Sequence, residues 1–169
     1  MKSLPVQPKA VVFDMDGILF DTERLCCDVW LECARKAGYS ITEETFLSCV
    51  GRNDADTRLI VCEALGADFP YDDFKSLARA AMNSCMEKSG PPPKKGSGEL
   101  LEFLAVQGIP VALATSTSEQ SARWMIEKAG FSRYFSACAF GSEVANGKPA
   151  PDIFLLARNR LGVRDSTGC

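Results

Sequence analysis

Two aspartates stand one residue apart where a short apolar run ends. The run covers residues 10–13, and the residues that follow it are Asp14, Met15, Asp16 and Gly17. Strand alternation places Asp14 and Asp16 on one face, with Met15 turned away, and the glycine then lets the chain turn. Two carboxylates this close repel each other unless they hold a cation or share a proton. The pattern favours a catalytic or metal site over two acids that only end a strand and begin a turn.

Further polar side chains follow the next two apolar runs of the sequence. Thr115 and Ser116 come at the end of the run 109–115, and Lys148 comes in a loop after the run 136–140. In an open parallel sheet, ligands bind at the edge where the carboxyl ends of the strands meet. Two carboxylates, a hydroxyl and a lysine at that edge describe a phosphoryl-transfer site, with a nucleophile, hydrogen-bond donors and a fixed positive charge.

Each of these candidate residues also has a purely structural explanation. Ser116 and Glu119 have the spacing of a capping box, although a capped helix start is also a place where phosphate binds. Lys148 could be a solvated loop lysine, but its place before a proline at the start of a helix favours the functional interpretation. Gly51 and Arg52 could be only a helix break with an exposed charge, and the sequence favours neither explanation there.

The composition excludes several classes of function. Of 169 residues, 46% are hydrophobic and 24% are charged, which is typical of a soluble globular protein. The absence of histidine excludes Ser-His-Asp and Cys-His catalysis, and the eight cysteines form no C-x-x-C pair, so we expect reduced thiols. A net charge of -3 argues against a nucleic-acid partner. No apolar run suits a membrane span or a secretory signal, so we expect a cytoplasmic protein without a membrane partner.

The apolar periodicity divides the chain into a helical block and an alternating block. The helices predicted in the first block cover residues 22–38, a stretch from about 42, 54–65 and 71–88. Residues 89–98 contain three consecutive prolines and predict a hinge. Beyond it, predicted helices at 99–107, 119–129 and 151–161 alternate with apolar strands at 109–115 and 136–140. We therefore expect an α/β core of parallel strands from residues 1–17 and 96–169, interrupted by a helical insertion with hinges over 18–95.

Three motifs of the sequence resemble those of the haloacid dehalogenase (HAD) superfamily. Residues 14–17 (Asp-Met-Asp-Gly) with 20–22 (Phe-Asp-Thr) are similar to its first motif, 111–115 (Val-Ala-Leu-Ala-Thr) to its second, and 147–152 (Gly-Lys-Pro-Ala-Pro-Asp) to its third. The helical insertion between the first two motifs resembles β-phosphoglucomutase-like proteins and sugar-phosphate phosphatases. The resemblance implies a Rossmann-like parallel sheet core, incomplete at the C-terminus, with an inserted α-helical cap.

The resemblance also implies a reaction and a role for each site residue. The expected activity is Mg²⁺-dependent hydrolysis of a small phosphate ester, such as a sugar phosphate, through an aspartyl phosphate. Asp14 would be the nucleophile and would bind Mg²⁺ through its other carboxylate oxygen, and Asp16 would be the general acid and base and would bind Mg²⁺ through its backbone carbonyl. Thr115 and the amide of Ser116 would bind the phosphoryl group, and Lys148 would offset its charge. Dehalogenase members lack an acid at the position of Asp16, so phosphate chemistry is expected instead of C-halogen cleavage.

The same resemblance implies a substrate loop in the cap. The loop Gly51, Arg52 and Asn53 lies where related proteins place a loop that reaches the substrate, and Arg52 suits a phosphate or a sugar hydroxyl. A phosphosugar mutase of the same family is the alternative within enzymes. A truncated, catalytically weak phosphate-binding protein is the alternative outside them.

The alternative of a truncated, weakly active protein arises from the fourth family motif. This motif is an acidic pair that follows a further strand and completes the Mg²⁺ site. Asp165 and Ser166 resemble its dipeptide, but no apolar strand precedes them. Three explanations stay open: a truncated chain, a chain completed by a partner, and a phosphate-binding relic. Without that strand and one beyond it, the opening strand becomes an exposed apolar edge, through which we expect self-association.

Overall fold

The computed structural model describes residues 8–163, which form two compact units. The helical unit is Thr22–Ser89, and the described residues on either side of it form the sheet unit. In chain order the elements are β1 (Val11–Phe13), α1 (Thr22–Lys36), α2 (Glu43–Cys49), α3 (Asp54–Leu65), α4 (Tyr71–Ser89), α5 (Ser97–Val106), β2 (Val111–Thr115), α6 (Glu119–Lys128), β3 (Phe135–Phe140) and α7 (Asp152–Arg160). Each helix and strand predicted from the periodicity is present, with small differences at the ends.

The sheet is parallel and has the order β1-β2-β3. Val12 of β1 lies opposite Ala112 of β2, and Leu113 of β2 lies opposite Cys138 of β3. All five residues of β2 are buried, which explains its unbroken apolar run. The predicted α/β class with a parallel, Rossmann-like sheet is therefore confirmed. Because the strands are parallel, the residues that follow each of them lie at one edge of the sheet.

Small residues let α7 approach one face of this sheet closely. Ala112 and Ala114 alternate along β2 and pack with Ala139 of β3 against Ile153 and Ala157 of α7. Side chains two apart in a strand share a face, so the alanines form a shallow surface for the helix. This packing fixes the start of α7, and with it the loop that carries Lys148, relative to the strand ends.

The helical unit has an aromatic core of its own. Trp30 of α1 makes edge contacts with Phe46 of α2 and Phe74 of α4, with ring centroids 5.5 and 5.2 Å apart. Tyr39 and Phe69 continue the cluster at 4.8 Å. Edge-to-face contacts of this kind add to the free energy from burial of the rings. These aromatic contacts join α1, α2 and α4 within the helical unit.

A group of charged residues joins α3 to α4, and we call it the helix tie. Lys75 and Tyr71 both bond to Asp54, the tyrosine hydroxyl donating to Oδ1 at 3.0 Å, and Arg58 pairs with Asp72. The Arg58 guanidinium also lies 4.7 Å from the centre of the Tyr71 ring. Burial and the bond to Asp54 raise the pKa of Tyr71 to about 12. The tie thus consists of two acids matched by two cations and a tyrosine.

The two segments that connect the units are hydrogen-bonded to each other within the sheet unit. The Asp21 amide donates to the Pro92 carbonyl at 2.9 Å, and the Lys94 amide donates to the Leu19 carbonyl at 2.8 Å. The Lys94 Nζ also lies 2.9 Å from Asp21 Oδ1. The segment 89–98, predicted as a hinge, is shorter than expected, because α4 continues through Ser89 and α5 begins at Ser97. We call the two hydrogen-bonded segments, one with Leu19 and Asp21 and the other with Pro92 and Lys94, the stitched linkers.

The opening strand lies at an edge of the sheet, as expected. Among the described strands, β1 pairs with β2 alone. An apolar groove of about 380 Å³ lies beside it, and its lining residues are Pro8, Ala10, Val11, Val12, Phe154, Leu155 and Arg158. Self-association through this edge stays a prediction.

The sequence predicted no membrane-spanning segment and reduced cysteines. Within residues 8–163, no helix combines the length and the apolar character needed to cross a membrane. The cysteines of that range are free thiols, as their spacing predicted.

Candidate active site

The two aspartates follow β1 in a tight turn. The Leu19 amide donates to the Met15 carbonyl at 2.9 Å, and the Gly17 amide donates to the Phe20 carbonyl at 2.9 Å. Gly17 has φ of 73°, a conformation that side chains disfavour. Met15 is fully buried, while Asp14 is half-buried and Asp16 is exposed. The alternation predicted for these three residues is therefore present: Met15 faces the core, and the acids face outward.

Asp14 forms the central ion pair of the site. Its Oδ1 atom lies 2.6 Å from the Nζ of Lys148 and accepts a hydrogen bond from the Met15 amide at 2.7 Å. The Lys148 ammonium also donates to the Ala114 carbonyl at 3.3 Å and lies 5.1 Å from the centre of the Phe154 ring. Three neighbours thus hold the lysine in place. Lys148 lies in the loop after β3, and its side chain reaches the end of β1. This contact favours the functional interpretation of Lys148 over a solvated loop lysine.

The hydroxyl residues after β2 form the second part of the site. Thr115 is 1% exposed, and its Oγ1 accepts a hydrogen bond from the Thr117 amide at 3.1 Å. The hydroxyl proton of Thr115 is therefore available for donation to another acceptor. The Thr117 hydroxyl donates to Asp16 Oδ2 at 2.8 Å, which joins the ends of β1 and β2. The sequence places Thr117 at the same strand end as Thr115, but sequence reasoning assigned it no role.

Ser116 does not cap α6. The cap is Ser118, whose Oγ accepts a hydrogen bond from the Ser121 amide at 3.3 Å. The capping box suggested for Ser116 and Glu119 is therefore wrong, because the chain continues two residues further before the helix begins. Ser116 is exposed at the sheet edge, where its backbone packs on Gly141: a Cβ at that glycine would lie 3.2 Å from the Ser116 Cα. Gly141 was also missed, since only the fold shows this close approach.

An ion pair between the end of β3 and α7 supports the loop that carries Lys148. Glu143 accepts two hydrogen bonds from Arg160, at 2.8 and 2.9 Å, and one from the Phe140 amide at 2.9 Å. Arg160 also donates to the Cys138 carbonyl at 2.6 Å. The Arg160 guanidinium and the Phe140 amide lower the pKa of Glu143 to about 2. The carboxylate is thereby fixed as an anion at neutral pH.

The described residues offer few ligands for a metal. Within residues 8–163, no group of three or more acidic, cysteine or histidine side chains could hold an ion. Asp14 and Asp16 are the carboxylates at the site. Asp165 and Ser166, suggested as a remnant of a fourth motif, lie outside the described residues.

The suggested substrate loop lies between α2 and α3 of the helical unit. Gly51 has φ of 76°, and Arg52 is exposed. The Asn53 side chain caps α3 by accepting from the Asp56 amide at 2.9 Å, and its amide group donates to the Asp56 carboxylate. Asn53 thus has a structural role in the helical unit. A substrate role for Arg52 stays a prediction.

Two comparisons with known proteins agree on a family. The family model for haloacid dehalogenase-like hydrolases matches residues 8–168. A Thermotoga maritima protein named phosphorylated carbohydrates phosphatase is 35% identical over 158 residues, which is 92% of this chain and 71% of that protein.

Solved structures share the fold over similar lengths. A beta-phosphoglucomutase-like protein from Thermotoga maritima has a TM-score of 0.74 and 34% identity, covering 91% of this chain and 71% of that one. A HAD family hydrolase from Deinococcus radiodurans R1, with bound phosphate and sodium, has a TM-score of 0.77 and 25% identity, covering 92% and 68%. Because the family model spans nearly all of the sequence, this chain belongs to the haloacid dehalogenase-like hydrolase family.

Proposed function

We propose that this protein is a Mg²⁺-dependent phosphomonoesterase that acts on a small phosphorylated sugar or a similar metabolite. The observation that carries the proposal is the 2.6 Å contact between Asp14 Oδ1 and Lys148 Nζ, with Asp16 nearby in the same turn. A nucleophile, a fixed cation and a second carboxyl group are the components that phosphoryl transfer requires. The name of the Thermotoga maritima relative supports a phosphorylated carbohydrate as the substrate class.

The proposed reaction has two steps. A carboxylate oxygen of Asp14 bonds to phosphorus as the ester P–O bond breaks, and Asp16 donates a proton to the leaving oxygen. Asp16 then accepts a proton from water, whose oxygen bonds to phosphorus as the Asp14–phosphate bond breaks. Thr115 and the Ser116 amide donate to the phosphoryl oxygens, and Lys148 offsets their charge. Each step ends with the electron pair of the broken bond on the departing oxygen.

Mg²⁺ fits the oxygen atoms that this turn offers. Both described contacts of the Asp14 carboxylate are made by Oδ1, so Oδ2 can serve as an oxygen ligand together with the backbone carbonyl of Asp16. Protein Mg²⁺ sites use one or two carboxylates with substrate phosphate oxygens and water, so three acidic groups are not required. The ion would reduce the repulsion between an anionic nucleophile and an anionic phosphate.

The helical unit is proposed to act as the cap that selects the substrate. Its exposed Arg52 has the geometry to bind a phosphate or sugar hydroxyls through two parallel hydrogen bonds. The stitched linkers are proposed to serve as the hinge on which such a cap closes to exclude water.

Turnover and trapping of the intermediate test the proposal together. The wild-type protein should release phosphate from p-nitrophenyl phosphate with Mg²⁺, and EDTA should stop the release. Asp14→Asn should lower turnover by more than about 10³-fold, because the nucleophile is lost. Wild-type protein quenched in acid during turnover should carry a phosphoryl group that hydroxylamine removes.

Controls separate chemistry from folding. Circular dichroism should show that Asp14→Asn folds as the wild type does. Unchanged turnover in Asp14→Asn would contradict the mechanism. Conversion of sugar phosphates to their isomers without release of phosphate would favour the phosphosugar mutase.

A further inference from the structure

A threonine outside the predicted site contacts one of its carboxylates. The Thr117 Oγ1 lies 2.8 Å from Asp16 Oδ2, although the whole helical unit lies between the two residues in sequence. The Thr117 hydroxyl donates this bond and the Asp16 oxygen accepts it. The bond connects the turn after β1 directly to the loop after β2.

The position of Thr117 is fixed by its neighbours. Its amide donates to the Oγ1 of the buried Thr115 at 3.1 Å, which ties it to the rigid end of β2. The adjoining Ser116 backbone packs against Gly141, where no Cβ intervenes. A β-branched side chain has few χ1 rotamers, so a fixed backbone also fixes the direction of the hydroxyl. Thr117 is therefore a preorganised donor and not a mobile surface threonine.

We propose that Thr117 is a positioning residue that aims the Asp16 carboxyl group at the leaving oxygen of the substrate. The inference rests on the proposed function, in which Asp16 donates a proton to that oxygen as the P–O bond breaks. The bond from Thr117 to Oδ2 limits rotation of the Asp16 carboxyl group and so fixes its direction. In the proposed first step the carboxyl group gives its proton to the leaving oxygen, and the carboxylate that remains keeps its bond to Thr117.

A positioning role predicts an effect that depends on the leaving group. Phenolate leaves poorly unless it is protonated, whereas p-nitrophenolate leaves easily because the nitro group delocalises its charge. Proton donation therefore matters more for phenyl phosphate than for p-nitrophenyl phosphate. A variant that merely folds or binds badly should lose activity with both esters to the same extent.

Three variants measured with both esters and Mg²⁺ test the inference. Thr117→Val keeps the shape of the side chain without its hydroxyl. It should lower kcat/KM, which reports the first step alone, by about 10-fold to 100-fold for phenyl phosphate and by less than about 3-fold for p-nitrophenyl phosphate, within the range of general acid catalysis. Thr117→Ser restores the hydroxyl and should recover most of the loss. Asp16→Asn should show a larger loss of kcat/KM with the same selectivity for phenyl phosphate, while its kcat also reflects the second step, which both esters share.

The outcomes distinguish this inference from the proposed function. If Asp16→Asn is selective for phenyl phosphate and Thr117→Val loses both activities equally, the role of Thr117 is contradicted and the proposed function stands. If Asp16→Asn is not selective, the acid role of Asp16 fails, and the inference fails with it. A wild-type protein that hydrolyses neither ester would overturn both.

Discussion

The sheet edge and the helix tie contain the same kinds of charged residue in different proportions. The helix tie matches Asp54 and Asp72 with Lys75 and Arg58, so its acids and cations balance. At the sheet edge, Lys148 pairs with Asp14, and Asp16 accepts a hydrogen bond from the Thr117 hydroxyl. The helix tie thus joins two helices through paired charges, whereas the sheet edge brings a lysine and two carboxyl groups together with hydroxyl side chains.

Exposure separates the two groups further. The side chains of Lys75 and Asp54 are 47% and 57% exposed, against 26% and 35% for Lys148 and Asp14. Exposed ion pairs are screened by water and contribute little to stability, while partly desolvated charges act more strongly on a bound anion. An exposed group of ion pairs between helices indicates a structural tie. A half-buried ion pair at strand ends indicates a site.

Replacement of a lysine by methionine in each group tests this contrast, and the larger effect is expected at Lys148. Lys148→Met removes the fixed cation and should lower kcat for p-nitrophenyl phosphate by about 10²-fold to 10³-fold, as loss of one electrostatic contact to a transition state does. Steady-state kinetics with Mg²⁺ measures the change. Activity near the wild-type value would show that the contact with Asp14 is only structural.

A third ion pair, between Glu143 and Arg160, lies in the sheet unit, and we expect it to affect stability. The pKa of Glu143 is lowered to about 2 by Arg160 and the Phe140 amide. Since the folded-state pKa lies below the ordinary glutamate value, the stabilisation is present above about pH 4.3 and is lost as the pH falls toward 2. Glu143→Gln should therefore be less stable than the wild type at neutral pH, and this difference should vanish in acid.

Thermal unfolding between neutral pH and pH 2 measures the effect of Glu143→Gln. Arg160→Met is the matched variant from the other side of the pair and should lose the same acid dependence. A stability difference that stays constant over the whole pH range would contradict the assignment of this dependence to Glu143.

The smallest effect is expected in the helix tie. Lys75→Met should leave kcat and KM within about twofold of the wild type and should change the unfolding temperature only slightly, because its ion pair is exposed. Lys75→Met is measured by the same steady-state kinetics with Mg²⁺ as Lys148→Met. A large loss of activity here would contradict the distinction between an exposed structural tie and a half-buried site.

Much of the site was predictable because strand ends can be read from local sequence. The apolar run before Asp14, the glycine that follows and the alternation at Met15 fix that turn with little help from distant residues. The meeting of Asp14 with Lys148 followed from the rule that parallel strands end at one edge. These predictions needed only strand identity and direction.

The parts that were missed depend on how loops turn. The chain runs on through Ser118 before α6 begins, so the helix cap falls two residues beyond Ser116. The contact of Thr117 with Asp16 and the pairing of Glu143 with Arg160 join residues whose sequence separation carries no periodic signal. Such contacts are set by the backbone path between elements, which residue types alone do not specify.

The stitched linkers have a consequence for how the helical unit could be exchanged. Since the Asp21 and Lys94 amides each bond to the opposite linker, the chain leaves and re-enters the sheet unit at neighbouring points. A replacement segment needs only to begin and end close together, and the entropic cost of closing such a loop grows slowly with its length. Helical segments of different sizes could therefore be inserted at this point without a change in the order of the strands that position the active-site residues.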